Sequence, residues 1–408
     1  MTRNSDLPTA AQIPLQTFHL PAFPPEAANL KHLTLTSDIK PTDYADLLST
    51  PLSEDAIPSL PRGLESLTLE LFSLGYPAPF LTRLGKALPN LKDLTLYSHL
   101  IDGVSDSSRR DAGDFIHGLL TGSNDGGLRE LHLLDVFCRN GFISGIGDIL
   151  QDLDGGGEDD KKLRFLEVSY TYRGHSDGEF LSRIPVGELP GLIVGGLVGV
   201  SLRLEATFTS TAGGAGAGLE GVPDDPADVD EDGARVGRKP EGIVPVGCGH
   251  EGTKLLVEKL GGTGTGTGDE SMSGLKMLDC TLYALSLEQM GRVLKRQRRL
   301  AVLSVSVLLL EGGEAKRGLL ETLRLGNEEL EVVEVVGVPG QEWKGVADSV
   351  KSEELFRDVF PSSSDMVELT AALPSLESFS MTILRAQAFG SVSWRKKEGK
   401  WVDGTDQS

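Results

Sequence analysis

A six-residue phrase recurs along this chain of 408 residues: an apolar residue, two variable ones, an apolar residue, one variable, then another apolar residue. It reads LKHLTL from Leu30, LESLTL from Leu64, LKDLTL from Leu91, LRELHL from Leu128 and LRFLEV from Leu163. It returns as LKMLDC from Leu275, LAVLSV from Leu300, LEVVEV from Leu330 and LESFSM from Leu376, with weaker copies from Leu15 and Leu197. The last two apolar residues are two apart, so a strand carries both on one face. The first falls in the turn that enters the strand. A strand this short cannot bury its apolar face alone, so neighbouring copies must stack.

Successive phrases start about 25 to 46 residues apart, except for a short first interval and one long gap between Leu197 and Leu275. That spacing leaves room for one helix and two turns. Phe80, Leu81, Leu84 and Leu88 share a helical face just before one phrase; Met290, Val293 and Leu294 do so before another, and Met366, Leu369 and Leu373 before a third. Ser286 with Gln289, and Asp365 with Glu368, have the spacing of capping boxes. The predicted unit is a helix, a tight turn and a short strand.

The stretches LPNLKDLTL and LPSLESFSM resemble leucine-rich repeats, in the irregular form of fungal and plant F-box-type proteins. The resemblance covers most of the chain outside residues 203–272. It implies an α/β leucine-rich-repeat solenoid of right-handed stacked strand–helix units, with a parallel sheet on the concave face. It also implies a non-enzymatic, intracellular protein–protein interaction scaffold. The Asn or Cys that closes the motif in that family does not follow Leu96, where Tyr97, Ser98 and His99 stand, so a regular side-chain ladder is not expected. The first forty residues are Pro-rich and already hold repeat-like phrases rather than an F-box. A substrate-recognition component of a ubiquitin ligase lacking its F-box is therefore a second reading.

Composition divides the chain further. Residues 1–202 are expected to form one repeat block and 273–385 another. Residues 203–272 contain two Gly-rich, acidic tracts with few large apolar residues, and these cannot bury enough surface to offset their ordering entropy. They are expected to be a mostly disordered insertion, except for GIVPVGCGHEGTKLLVEKL, which reads as a strand and a helix. In residues 386–408, Val392 and Trp394 alternate with polar residues and a Glu-Gly turn precedes Trp401, the pattern of a β-hairpin capping the last unit.

Sixty acidic against 39 basic residues give a net charge of −21, which argues against nucleic acid or anionic membrane as a partner. Three cysteines without regular spacing point to a reducing compartment. With no apolar signal segment and no long apolar run, a cytoplasmic location is expected. The run Lys295-Arg-Gln-Arg-Arg299 is a candidate nuclear import signal.

Gly247–Gly252 spells GxGxxG between IVPV and TKLLVEKL, the spacing of a dinucleotide loop. It supports a third reading, a nucleotide-dependent α/β enzyme, although Pro245 would interrupt the strand. Asp228–Gly233 opens like a calcium loop, but its twelfth position is Lys239. Cys248 and His250 lie two apart without a second ligand pair. No catalytic residue, cofactor or metal is expected.

The expected interaction surface is the set of variable strand residues opposite the core, His32, Thr34, Ser66, Thr68, Asp93, Thr95, Tyr97, Glu130, His132 and Glu167, and the same outward positions go on through Phe165, Met277, Asp279, Ser378 and Ser380. Small, hydroxylated and mildly acidic, it suits a protein or peptide partner of basic character.

Overall fold

The computed structural model describes residues 9–98, 100–122, 127–154, 163–172, 177–206, 243–262, 274–309, 313–340, 358–384 and 391–403. Ten of the eleven phrases become strands; the weak copy from Leu15 does not, because residues 16–20 leave the sheet, and the first strand is formed instead by the AAQIPL just before it, with Ala11 and Ile13 in the register of Leu33 and Leu35. The strands are β1 (Ala10–Leu15), β2 (His32–Ser37), β3 (Ser66–Glu70), β4 (Asp93–Tyr97), β5 (Glu130–Leu134), β6 (Phe165–Tyr172), β7 (Gly199–Ala206), β8 (Met277–Leu285), β9 (Val302–Leu309), β10 (Val332–Pro339) and β11 (Ser378–Ile383). They join in chain order into one open sheet, parallel throughout. β12 (Ser391–Lys397) and β13 (Lys400–Asp403) extend it as an antiparallel hairpin. Its turn uses Glu398 and Gly399 at positive φ, 51° and 78°.

The register follows the phrase. Leu33, Leu67, Leu94, Leu131, Leu166 and Val200 stand side by side, and Leu278, Leu303, Val333 and Phe379 continue the row. All are buried, as are the entry leucines from Leu30 to Leu376. A one-residue slip would turn these side chains to the other face, so the apolar pattern fixes the pairing. The entry turns are tied together as well. The amides of Lys92 and Asp93 both donate to the Glu65 carbonyl, those of Arg129 and Glu130 to Lys92, and those of Arg164 and Phe165 to Arg129. Lys276 and Met277 donate to Val198 in the same way, so the stacking resumes directly across the long gap.

The helices are α1 (Pro41–Ser49), α2 (Phe80–Ala87), α3 (Asp106–Thr121), α4 (Phe142–Asp154), α5 (Asp177–Arg183), α6 (Glu251–Gly261), α7 (Leu287–Arg296), α8 (Gly313–Leu323) and α9 (Ser363–Ala372), with short 3-10 turns at Pro25–Asn29 and Leu189–Leu192. They pack one on the next, α2 on α3 on α4 and α6 on α7 on α8, and form a layer over one face of the sheet. The apolar faces read from the sequence are the ones buried: Phe80, Leu81 and Leu84; Met290, Val293 and Leu294; Met366 and Leu369. Among the described residues no helix is long and apolar enough to cross a membrane.

The Ser286–Gln289 capping box forms as the spacing predicts. The expected Asp365–Glu368 box does not. Ser362 is the cap, its hydroxyl accepting from the Asp365 amide at 3.3 Å, while Asp365 takes the Ser362 amide at 2.8 Å. The helix therefore starts one turn earlier, and Glu368 instead meets Arg324 at 3.1 Å.

The segment expected as an insertion from 203 is partly regular. β7 runs on through Ala206, and Val246 forms a single parallel bridge to Tyr283 in β8. Pro245 lacks an amide hydrogen, so this stretch makes a bridge rather than a strand. Alongside, β8 bulges: it advances from Asp279 to Ala284 while β9 advances only from Ser304 to Ser306. Residues 207–242 and 263–273 lie outside the described residues, and so does the calcium-loop match at Asp228–Lys239.

Candidate functional site

Among the described residues the helices lie on one face of the sheet; the other is accessible over β2 to β6, is buried at Ser201, Asp279 and Ser304 of β7 to β9, and carries side chains that the repeat sorts into rows. His32, Ser66, Asp93 and Glu130 stand in register in one row, which Phe165 continues. Thr34, Thr68, Thr95, His132 and Glu167 form the next. Tyr97 lies in a third, beside Glu70 and Leu134. All ten expected residues therefore share one continuous surface over β2 to β6. The sequence reading carried the middle row on to Asp279 but passed over Ser201, Ser304 and Glu334, which stand in the same row; of these four, only Glu334 is exposed. The signal was available: Ser201, Ser304 and Glu334 sit at the same offset from their entry leucines, Leu197, Leu300 and Leu330, as Thr95 does from Leu91.

On β5 and β6 a histidine meets two carboxylates. His132 Nδ1 lies 2.6 Å from Glu167 Oε2, and its Nε2 lies 3.6 Å from Glu130 Oε2. The Phe165 ring sits 5.5 Å from the imidazole, centroid to centroid. The Glu167 bond pushes the imidazole pKa up, and the same bond holds the Glu167 carboxyl below its usual range. Next to them Asp93 is raised, mainly by burial and then by the charge of Glu130. Further along, Asp279 is buried and its pKa is raised for that reason, although it accepts from the Thr281 amide at 3.1 Å and hydroxyl at 2.8 Å. Ser304 donates to Glu334 Oε2 at 2.7 Å. Arg203 pairs with Glu205 at 2.6 Å and is the cation near both Glu167 and Asp279. The middle of the face thus carries carboxylates on β4, β5, β6, β8 and β10, relieved by His132 and Arg203.

The glycine-rich loop has a different job. His250 is the N-cap of α6, its Nδ1 accepting from the Gly252 amide at 3.0 Å. The Thr253 hydroxyl donates to the Gly247 carbonyl at 2.9 Å, and Gln289 Nε2 donates to that of Cys248 at 3.1 Å. A Cβ on Gly252 would stand 2.3 Å from the Val186 carbonyl oxygen, so this glycine lets the helix approach the preceding unit. The loop's polar groups go to capping and packing. Among the described residues no three His, Cys, Asp or Glu side chains converge as a metal site requires. The basic run is split by its middle residue. Lys295, Arg298 and Arg299 are exposed, while Gln297 is buried with Nε2 donating to the Leu260 carbonyl at 2.7 Å.

No family model matches this chain, and no curated protein matches it. Among solved structures it is similar to the leucine-rich repeat-containing protein LegL7 from Legionella pneumophila, at 14% identity and a TM-score of 0.35, over 96% of this chain and 92% of that one.

Proposed function

We propose that the chain is a non-enzymatic interaction scaffold of leucine-rich-repeat type whose open sheet face holds a protein or peptide segment of basic character. One observation carries the reading. The middle rows of that face bring the accessible carboxylates of Asp93, Glu130, Glu167 and Glu334 into register, with the part-exposed hydroxyls of Thr34, Thr68 and Thr95 beside them and the buried Asp279 adding its charge from beneath. Neighbouring strands lie about 4.8 Å apart, so several carboxylates act together on an extended ligand laid across the strands. The rigid backbone beneath presents them without reordering, which lowers the entropic cost of binding. The capped and packed Gly247–Gly252 loop weighs against the nucleotide-dependent reading, since a helix N-terminus already occupied by its own cap offers few amides to a phosphate.

The test is fluorescence anisotropy with a labelled, lysine-rich extended peptide. Binding is expected to weaken as salt rises and to fall by about tenfold in the Glu130→Gln/Glu167→Gln double variant, the loss typical of removing interfacial charge partners. A peptide that binds no better than its neutral counterpart, or that ignores both substitutions, sinks the proposal.

A further inference from the structure

The entry edge of the sheet carries the opposite charge. From β4 to β8 the residue just after the entry leucine is Lys92, Arg129, Arg164, Val198 and Lys276, four cations in five strands. Their backbones are stacked by carbonyl–amide ties, so Lys92, Arg129 and Arg164 start about 4.8 Å apart, and Lys276 follows two spacings on, beyond Val198. Arg129, Arg164 and Lys276 are exposed and make no ion pair among the described residues. At the β4 end the strip opens into a groove of about 390 Å³ whose lining includes Lys31, Arg62, Lys86 and Lys92, with Pro89 and Leu119 as apolar walls. The carboxylate there, Glu65, is held between Lys31 at 2.6 Å and Lys92 at 3.1 Å, and leaves Arg62 and Lys86 unmatched among the described residues.

Folding does not account for this row. Helix C-termini lie at this edge and favour cations, which explains Lys86 in the last turn of α2 and Lys295 and Arg296 in that of α7. Arg292 shows what such service looks like, donating to the Gly262 carbonyl at the end of α6 at 3.1 Å. Arg129 and Arg164 donate side-chain bonds to no helix carbonyl among the described residues, and they stand on adjacent strands. Like charges placed side by side weaken a sheet. The same position is held by Glu65, Glu331 and Glu377 at other strands, so the fold does not require a cation there.

We infer that this strip and its groove are a second docking surface, for an acidic peptide segment carrying an apolar side chain. The strip from Lys92 to Lys276 spans four strand spacings, about 19 Å, which is about six residues of extended chain. The groove takes the apolar residue against Pro89 and Leu119, while the carboxylates run along the arginines. A short segment suits the site better than nucleic acid, because a long polyanion also meets the field of a chain at −21. The surface is separate from the open face: one takes acidic ligands, the other basic ones.

The experiment uses the full chain and a labelled glutamate-rich peptide with a central leucine, read by anisotropy. A glutamine-rich counterpart, a single-stranded oligonucleotide and anionic vesicles are run beside it. The acidic peptide is expected to bind in low salt and to weaken by at least about tenfold in Arg129→Glu/Arg164→Glu. Both positions are exposed, so circular dichroism should be unchanged; Arg129→Gln/Arg164→Gln gives the milder loss if the reversal disturbs folding. The Glu130→Gln/Glu167→Gln variant should bind the acidic peptide as the parent does. Equal binding of the glutamine peptide, or an acidic-peptide affinity indifferent to both arginine variants, overturns the proposal. So does tighter binding of oligonucleotide or vesicles than of peptide. A failure of the lysine-rich peptide alone removes the open-face reading and leaves this one standing.

Discussion

At the scale of residues, the pairing of His132 with Glu167 has a pH signature. The imidazole pKa is raised above its ordinary 6.5 by the Glu167 bond, and the carboxyl is held below its ordinary 4.5 by the same bond. A raised histidine contributes stability that is complete below the unfolded pKa and is lost as pH climbs through the folded one. A lowered carboxyl contributes stability that is complete above its unfolded pKa and is lost as pH falls through the folded one. The pair therefore stabilises fully between about pH 4.5 and about pH 6.5. Glu130 on the same strand, 3.6 Å from Nε2, also helps keep the ring charged, and the charge of Asp93 on β4 is felt between them. Urea unfolding of the parent and of His132→Gln should differ most in that window, and the gap should shrink toward about pH 9. A gap that stays constant or widens over that rise would show that the ion pair is not the source of the difference.

At the scale of elements, β2 to β11 were legible because the apolar period is two and the entry leucine marks each start, whereas β1, AAQIPL, has no entry leucine and the phrase read from Leu15 begins only at its last residue. Strand lengths were not legible. β3, β4 and β5 have five residues each, as the phrase implies, but β6, β7, β9 and β10 have eight. In β6 the core face continues past Val168 through Tyr170 and Tyr172, a continuation that a six-residue template does not reach. The β8 bulge was invisible because it depends on Val246 arriving from the distant segment beside Tyr283. Helix starts were readable where the cap and its partner were unambiguous, as at Ser286. Near Ser362 four candidate caps stand in a row, PSSSD, and spacing alone selects the wrong one. The structure assigns the role to Ser362, so Ser362→Ala should cost about 1 kcal/mol of stability. Glu368→Ala, which removes only an exposed pair with Arg324, should cost less than about 0.5 kcal/mol. Chemical denaturation of the two variants checks the assignment, and a larger loss for Glu368→Ala would reverse it.

At the scale of the whole molecule, the sheet is continuous but its joints are unequal. β6 and β7 pair over eight residues, and β9 and β10 over eight. β7 and β8 pair over three, because Val246 occupies the position beside the end of β8. In a stack where each unit touches mainly its neighbours, stability is close to a sum of unit and joint contributions, so a weak joint sets where the array opens. What offsets the short pairing is a bond across the joint: the Tyr283 hydroxyl donates to the Val186 carbonyl at 2.7 Å, from β8 to the turn after α5. That phenol is almost fully buried, and its pKa is pushed up by burial, so it stays a neutral donor through the physiological range. Native-state hydrogen exchange should accordingly find two opening units, β1–β7 and β8–β11, with different free energies. Tyr283→Phe removes the donor and leaves the Val186 carbonyl unpartnered, a loss of about 1–3 kcal/mol. That loss should appear as a larger separation between the two units rather than as an equal drop in both. A single opening free energy shared by all eleven parallel strands, unchanged in its uniformity by the substitution, would show that the joint is as strong as the rest.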